Sequence, residues 1–234
     1  MTKGREPLKQ PLLIALDGPV GAGKSSLADA VARHLNILHL DTGAMYRALA
    51  LGALRLGVDV YDEVSLTRLC DENTLSVDVR FAEGRQQTLL NGQPVDDAIR
   101  SQEVGSAAST VSRYRRVRQY LVERQQQLAA RQSMIVDGRD IGTVVLPMAK
   151  AKIFLTASAE ERAQRRYRQL LDKGQQADYA AVLEELRQRD QQDSNRAVDP
   201  LRQADDAVLL DTSDLDFDQS VQAILRIVEA AYAG

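Results

Sequence analysis

The sequence predicts an α/β fold in which helices cover both faces of a parallel sheet. Short apolar runs alternate with amphipathic segments along most of the 234 residues, which is the pattern of β-α-β units. Residues 73–97 instead alternate single apolar and polar side chains, as strands of an antiparallel sheet with one wet face do. With 44% hydrophobic and 27% charged residues, the chain has the composition of an ordinary soluble folded protein.

The first predicted elements form two strand–helix units after residues 1–11, which are expected to be a flexible leader. Leu12–Leu16 is an apolar run that ends in a turn, and residues 24–35 carry apolar side chains at helical spacing. A short strand at Ile37–Leu40 and a helix at 43–56 repeat this arrangement. The order strand, helix, strand, helix favours a parallel pairing of the two strands.

The remaining elements resume the same alternation after the antiparallel stretch. Helices are predicted at 101–111, 114–131, 159–172, 178–193 and 217–232, and strands at 134–136, 153–155 and 207–210. We therefore expect a core of residues 12–72 and 98–232, interrupted by a β-rich insertion at 73–97.

Composition and charge exclude several classes of protein. The net charge of −3 argues against a nucleic-acid coat protein. No apolar run approaches the roughly 18 residues of a membrane helix, and the N-terminal residues lack the apolar stretch of a secretory signal. A single cysteine, Cys70, excludes an intrachain disulfide and is expected to be a buried apolar residue. We expect a cytoplasmic monomer without nucleic-acid or membrane partners.

The strongest motif is a P-loop, because Gly18–Ser25 fits G-x-x-x-x-G-K-[ST] between an apolar strand and an amphipathic helix. Glycines let the backbone N–H groups face a phosphate, and the helix N-terminus adds positive charge. Lys24 is expected to reach the β- and γ-phosphates of a nucleotide, and Ser25 to ligate Mg²⁺. The predicted ATP-binding residues are Gly18, Pro19, Val20, Gly21, Ala22, Gly23, Lys24, Ser25 and Ser26.

Two further strand-to-helix junctions carry candidate functional side chains. The apolar strand at Met134–Val136 ends in Asp137, which is expected to hold Mg²⁺ through water, although Asp-Gly after a strand is also a common turn. The junction at Asp41–Arg47 places Arg47 on the first helical turns, where it could reach a monophosphate. Thr42 of the same junction could simply cap the helix.

A late group of arginines completes the set of candidate residues. Arg162, Arg165, Arg166 and Arg168 precede the stretch Arg189–Arg196. Arginine neutralises a phosphoryl group in transfer, but an Arg-rich helix is also often a solvated face. Asp193 and Arg196 are three residues apart and could form a surface salt bridge.

Taken in chain order, these motifs resemble those of the bacterial cytidylate kinases. The P-loop, DTGAMYR, the hairpin insertion, VDGRDIGT and RDQQDSNR cover about residues 11–230. The resemblance implies the nucleoside monophosphate kinase fold, with a five-stranded parallel core, a monophosphate-binding arm that includes the insertion, and a short lid at about 158–196.

The resemblance also implies roles for individual residues. Thr42 and Asp140 would line the cytosine pocket, and Arg47 and Arg139 would bind the acceptor phosphate. Implied to bind the acceptor nucleotide are Thr42, Tyr46, Arg47, Ser109, Arg118, Arg139, Asp140, Arg189, Asp193 and Arg196. Implied to be catalytic are Lys24, Arg139, Arg165 and Arg196.

The predicted reaction is phosphoryl transfer from MgATP to CMP or dCMP, giving ADP and CDP or dCDP. Three alternatives stay open at the level of sequence. A kinase of the same fold could act on AMP, UMP or shikimate. A signalling GTPase would need an N-K-x-D guanine reader, which the sequence lacks. A nucleic-acid-stimulated ATPase would need a wider basic surface than this acidic chain offers.

Overall fold

The computed structural model describes residues 11–233, so that all of the predicted leader except Pro11 lies outside the described residues. The strands are β1 (Leu13–Asp17), β2 (Leu38–Asp41), β3 (Val77–Ala82), β4 (Arg85–Leu90), β5 (Gln93–Pro94), β6 (Met134–Gly138), β7 (Ala151–Thr156) and β8 (Val208–Asp211). The helices are α1 (Lys24–Leu35), α2 (Thr42–Arg55), α3 (Glu63–Asp71), α4 (Gln102–Val111), α5 (Arg115–Ala129), α6 (Ala159–Asp172), α7 (Tyr179–Ser194) and α8 (Phe217–Ala233).

Five strands form a parallel sheet in the order β2-β6-β1-β7-β8. Alternate residues of β1 face opposite sides, so that Ile14 and Leu16 pack with α1 and α8 while Ala15 packs with the cluster that contains α2, α4 and α5. Both faces of the sheet are therefore buried. The predicted α/β fold with a five-stranded parallel core is confirmed.

The parallel register brings three strand ends together. Asp17 at the end of β1 pairs with Gly138 of β6, and Asp41 at the end of β2 pairs with Asp137 of β6. In open parallel sheets, ligands bind outside the carboxyl ends of the strands. The loops that follow β1, β2 and β6 therefore meet at the edge of the sheet where a ligand site is expected.

The alternating stretch forms a second, antiparallel sheet in the order β3-β4-β5. Its two turns, at Glu83-Gly84 and Asn91-Gly92, have positive φ at both residues, as two-residue hairpin turns require. Its apolar face, with Val77, Val79 and Leu90, belongs to the same buried cluster as α2. This small sheet is thus packed against the core and does not stand apart from it.

The sequence did not predict a short 3₁₀ turn at Ala98–Arg100, and it missed two further elements. Helix α3 is only nine residues long, and it is capped by Asp62, whose carboxylate accepts hydrogen bonds from Val64 N and Ser65 N. It buries Leu66, Leu69 and Cys70, so the expectation that the cysteine is buried is confirmed. The other element is a π-helical turn at Ile141–Val145, whose stabilising partner comes from a distant strand. Across residues 11–233, none of the helices combines the length and apolar character that a membrane span needs.

Candidate active site

The P-loop follows β1 and leads into α1 with the backbone that the motif predicts. Gly18 has φ +152°, and a Cβ there would lie 2.0 Å from the carbonyl oxygen of Leu155 in β7. Gly23, at φ +88°, is the N-cap of α1 and provides no side-chain cap for the helix. The N–H groups at the start of α1 are therefore left facing the loop, which is how helix N-termini bind phosphate.

Lys24 is buried at the centre of this loop. Its Nζ donates hydrogen bonds to the carbonyl oxygens of Gly18, at 2.8 Å, and Pro19, at 2.7 Å. Burial, reinforced by the nearby positive charge of Arg139, lowers the pKa of Lys24 to about 7. An anion placed in the loop would reverse this shift, because opposite charge favours the protonated amine.

Ser25 and Asp137 form an oxygen pair beside the lysine. Ser25 Oγ donates to Asp137 Oδ2 at 2.8 Å, and the other oxygen of Asp137 lies 3.0 Å from His39 Nε2. His39 Nδ1 lies 2.6 Å from Asp29 Oδ1. Burial opposes the charge on His39, but the bonds to Asp137 and Asp29 outweigh it and raise its pKa to about 10. A charged imidazolium therefore donates to both carboxylates, and it holds the pKa of Asp137 below its usual value despite burial.

A hydroxyl and a carboxylate side by side are suitable ligands for Mg²⁺. This cation prefers oxygen donors and uses few protein ligands, with phosphate oxygens and water completing its shell. Within residues 11–233, no cluster of three or more His, Cys, Asp or Glu side chains is placed to hold a metal. The pair of Ser25 and Asp137 thus fits a magnesium ion that arrives with a nucleotide.

Arg47 projects from the first turns of α2 toward the end of β2. Its guanidinium donates to Asp41 Oδ2 at 3.0 Å, and Asp41 Oδ1 accepts from Ala44 N. Asp41 is therefore the N-cap of α2, and the alternative interpretation of Thr42 as the cap is wrong. The Thr42 hydroxyl is buried and donates to the carbonyl of Asp137 at 2.8 Å, which joins the first turn of α2 to β6 at the site.

Arg139 and Asp193 connect the end of β6 to α7. Arg139 Nε donates to Asp193 Oδ2 at 2.7 Å, so the carboxylate pairs with an arginine 54 residues away and not with Arg196. Burial opposes the charge on Asp193, but Arg139, with smaller effects of Arg196 and Arg189, holds its pKa below the usual value. Ser109 of α4 faces the same helix, and its hydroxyl donates to Gln192 at 3.2 Å.

Arg118 is the most enclosed of the predicted arginines, with 1% of its side chain exposed. It donates to Asp140 at 2.5 Å and to Asp199 at 2.8 Å, and its guanidinium lies 5.5 Å from the centre of the Tyr46 ring. Arg196 donates to the carbonyl of Asp199. Its Nε is buried and, among residues 11–233, has no hydrogen-bond partner.

Two arginines of α6, Arg162 and Arg165, have partners in different parts of the fold. Arg162 is buried and donates to Asp190 at 2.7 Å and to the carbonyl of Val20 at 2.8 Å, so that α6, α7 and the P-loop are joined by one side chain. Arg165 points elsewhere and donates to the carbonyl of Thr212, after β8, at 2.7 Å. The structure thus places Arg162 against the P-loop, whereas Arg165, which was predicted as catalytic, contacts Thr212.

Sequence reasoning missed several residues that organise this edge of the sheet. Asp17 was interpreted as part of a turn, but its buried carboxylate accepts hydrogen bonds of 2.7 Å from the N–H groups of Ile141 and Gly142. Burial raises the pKa of Asp17 to about 6. His39 and Asp199 were also missed, because an isolated polar residue at a strand end or in a loop has no local signature. Only the apolar strand before Asp17 could have suggested its position at the site.

The chain is similar to known proteins over nearly its whole length. The family model for cytidylate kinase matches residues 14–230. A cytidylate kinase from Bacillus licheniformis is 46% identical over 222 residues, which is 95% of this chain and 98% of the relative. A cytidylate kinase from Desulforamulus reducens is 47% identical over 216 residues, or 92% and 96% of the two chains.

A solved structure has a similar fold. An uncharacterized protein from Eubacterium ventriosum superimposes with a TM-score of 0.51, at 13% identity, over 94% of this chain and 99% of that one. At this identity the likeness concerns the fold alone. The family model and the two curated relatives span nearly the full chain, and on that basis this protein belongs to the cytidylate kinase family.

Proposed function

We propose that this protein transfers the γ-phosphoryl group of MgATP to CMP or dCMP, giving ADP and CDP or dCDP. The observation that carries the proposal is the meeting of two phosphate-binding arrangements at one edge of the sheet. The P-loop follows β1, and Arg47 and Arg139 follow the adjacent strand ends of β2 and β6. The family to which the chain belongs supports cytidine monophosphates as the acceptors.

The donor is proposed to bind at Gly18 to Ser26. Lys24 Nζ would exchange its bonds to two backbone carbonyls for bonds to phosphate oxygens, and the ligand's negative charge would keep the amine protonated. Ser25 and Asp137, already 2.8 Å apart, would hold Mg²⁺, the latter through water. The bound ion would supply positive charge that offsets the negative charge developing on the phosphates during transfer.

The acceptor is proposed to bind between the ends of β2 and β6 and helix α7. Arg47 and Arg139 would orient its phosphate, whose oxygen is already a nucleophile, so no general base is needed. Thr42, Arg118 and Asp140 would recognise the base. The buried Nε of Arg196, which has no hydrogen-bond partner among residues 11–233, is a further donor available to the ligand. Ser109, Arg189 and Asp193 would surround the pentose.

Residues of about 158–196, in α6 and α7, are proposed to act as a lid on the core of residues 12–72 and 98–232. Arg162 and Asp190 already join both helices to the P-loop at Val20. Closure would exclude water from the transferred phosphoryl group. We retain Arg165 as a proposed catalytic arginine that would have to leave Thr212 when the lid closes.

The enzyme is further proposed to work as a cytoplasmic monomer, without nucleic-acid or membrane partners. The proposed acceptors are small nucleotides, which require no macromolecular partner. Size-exclusion chromatography with light scattering tests the oligomeric state directly.

The function is tested by measuring ADP release with MgATP and a panel of acceptors: CMP, dCMP, UMP, AMP and shikimate. We expect the highest kcat/KM with CMP or dCMP, and a loss of roughly 10³-fold or more in Lys24→Met, because a major electrostatic stabiliser is removed. Lys150→Met, an exposed lysine at the opposite end of β7, serves as the control. Preference for another acceptor, or a folded Lys24→Met enzyme with normal turnover, would contradict the proposal.

A further inference from the structure

The small antiparallel sheet reaches the acceptor side of the site through one side chain. Gln86 of β4 accepts a hydrogen bond at 2.7 Å from the backbone N–H of Asp41 and donates one at 3.2 Å to the backbone carbonyl of the same residue. Strand β2 is an edge strand of the parallel sheet, so the outer backbone groups of Asp41 have no neighbouring strand. The Gln86 amide makes the two hydrogen bonds that a neighbouring strand would otherwise make with Asp41.

Asp41 is also the residue that holds Arg47. One oxygen of its carboxylate caps α2 through Ala44 N, and the other accepts from the Arg47 guanidinium at 3.0 Å. The main chain of Asp41 is therefore fixed by the small sheet, while its side chain fixes the arginine assigned to the acceptor phosphate. A shift of the Asp41 backbone would move both the first turn of α2 and the guanidinium.

Gln86 is itself held in place from the sheet side. Its Nε2 lies 3.2 Å from Thr88 Oγ1, and Thr88 is fully buried with its N–H bound to Asp96 at 3.0 Å. The next residue, Gln87, lies on the opposite face of β4, where it accepts a hydrogen bond from Arg80. Two adjacent glutamines of one strand thus have different partners, and only Gln86 reaches the site.

We propose that Gln86 is a positioning residue for the acceptor phosphate, acting through Asp41 on Arg47. The inference rests on the proposed function, because it assumes that Arg47 binds the acceptor. It gives the β-rich insertion at 73–97 a specific task, which is to hold one corner of the acceptor site and not merely to cover α2.

The test compares Gln86→Met with Gln87→Met in steady-state kinetics for CMP and ATP, with calorimetric CMP binding in the absence of ATP. Gln86→Met removes two hydrogen bonds, and we expect about a tenfold rise in the KM and Kd for CMP. The KM for ATP should change less than about twofold, since the donor side keeps its contacts. Gln87→Met should leave all of these values unchanged.

A double-mutant cycle separates positioning from general stability. In an Arg47→Ala background, Gln86→Met should cause little further rise in the KM for CMP, because its effect passes through the missing arginine. If Gln86→Met does not fold, Gln86→Glu replaces it, since the carboxylate still accepts from Asp41 N but cannot donate to the carbonyl. We expect the same rise in the KM and Kd for CMP, with the KM for ATP again nearly unchanged.

Three results would overturn the inference: an unchanged KM for CMP, equal rises for CMP and ATP, or additive effects of Gln86→Met and Arg47→Ala. A wild-type enzyme inactive with every monophosphate would instead overturn the proposed function. The two failures are thus distinguished by the wild-type assay alone.

Discussion

Binding of MgATP at pH 8 should draw close to one proton from solution onto Lys24. Burial in the P-loop, together with the positive charge of Arg139, lowers the pKa of this amine to about 7. With that pKa, only about one-tenth of the lysines are charged at pH 8. A bound triphosphate restores the pKa toward the ordinary value of about 10.4, at which nearly all are charged. The expected uptake is therefore about 0.9 proton for each nucleotide bound.

Isothermal titration calorimetry measures this uptake. MgATP is titrated at pH 8 in buffers with different ionisation enthalpies, and the slope of observed enthalpy against buffer enthalpy equals the number of protons taken up. Lys24→Arg is the matched control, because a guanidinium stays charged in both states and any uptake by other groups remains.

The comparison of the two slopes decides the outcome. We expect the wild-type slope to exceed that of Lys24→Arg by about 0.9. Equal slopes would mean that Lys24 does not change its protonation when the nucleotide binds, which would contradict the argument that burial and Arg139 control it. A smaller but clear difference would place the pKa nearer to 8 and leave the cause intact.

Three other substitutions test separate parts of the structure. Arg47→Ala should raise the KM for CMP far more than the KM for ATP, and steady-state kinetics in which only ATP is affected would contradict its assignment. Arg118→Met should destabilise the fold by about 3–5 kcal/mol, because it leaves two carboxylates without their buried partner; urea unfolding showing a loss below about 1 kcal/mol would refute this. Gly18→Ala places a Cβ 2.0 Å from the carbonyl oxygen of Leu155, so its melting temperature should fall and its KM for ATP should rise. Gly105→Ala, whose Cβ would meet nothing within 4 Å, should match the wild type in both measurements, and equal behaviour of the two alanine variants would be the contrary result.

Most of the secondary structure could be predicted because it depends on short-range patterns. Helix α1 spans Lys24–Leu35, as its apolar spacing predicts, and α4, α6 and α7 begin and end within a residue or two of their predicted bounds. Helix α3 escaped prediction because it has only nine residues and three buried positions. So short a segment does not show a recognisable helical spacing of apolar residues. The π-helical turn at Ile141–Val145 escaped because its first two N–H groups, those of Ile141 and Gly142, donate to Asp17, which is 124 residues away from Ile141.

The candidate site shows the same division. The P-loop was predicted in full, because its glycines, lysine and serine are adjacent and their chemistry depends on local backbone geometry. The partners of the arginines were not. Arg139 pairs with Asp193 and not with a helical neighbour, and Arg118 pairs with Asp140 and Asp199.

By itself, the sequence determined the order of most strands and helices, the P-loop motif and the family of the chain, since each depends on residues close together along it. Only the tertiary structure decided which charged groups meet. His39 is hydrogen-bonded to Asp137, and Gln86 to Asp41. Arg162 is hydrogen-bonded to the P-loop, whereas Arg165 is bonded to Thr212. The physical reason is that a buried hydrogen bond needs both groups within about 3 Å. Over separations of 45 to 142 residues, as between Gln86 and Asp41 or Arg162 and Val20, that distance is set by strand order and helix packing.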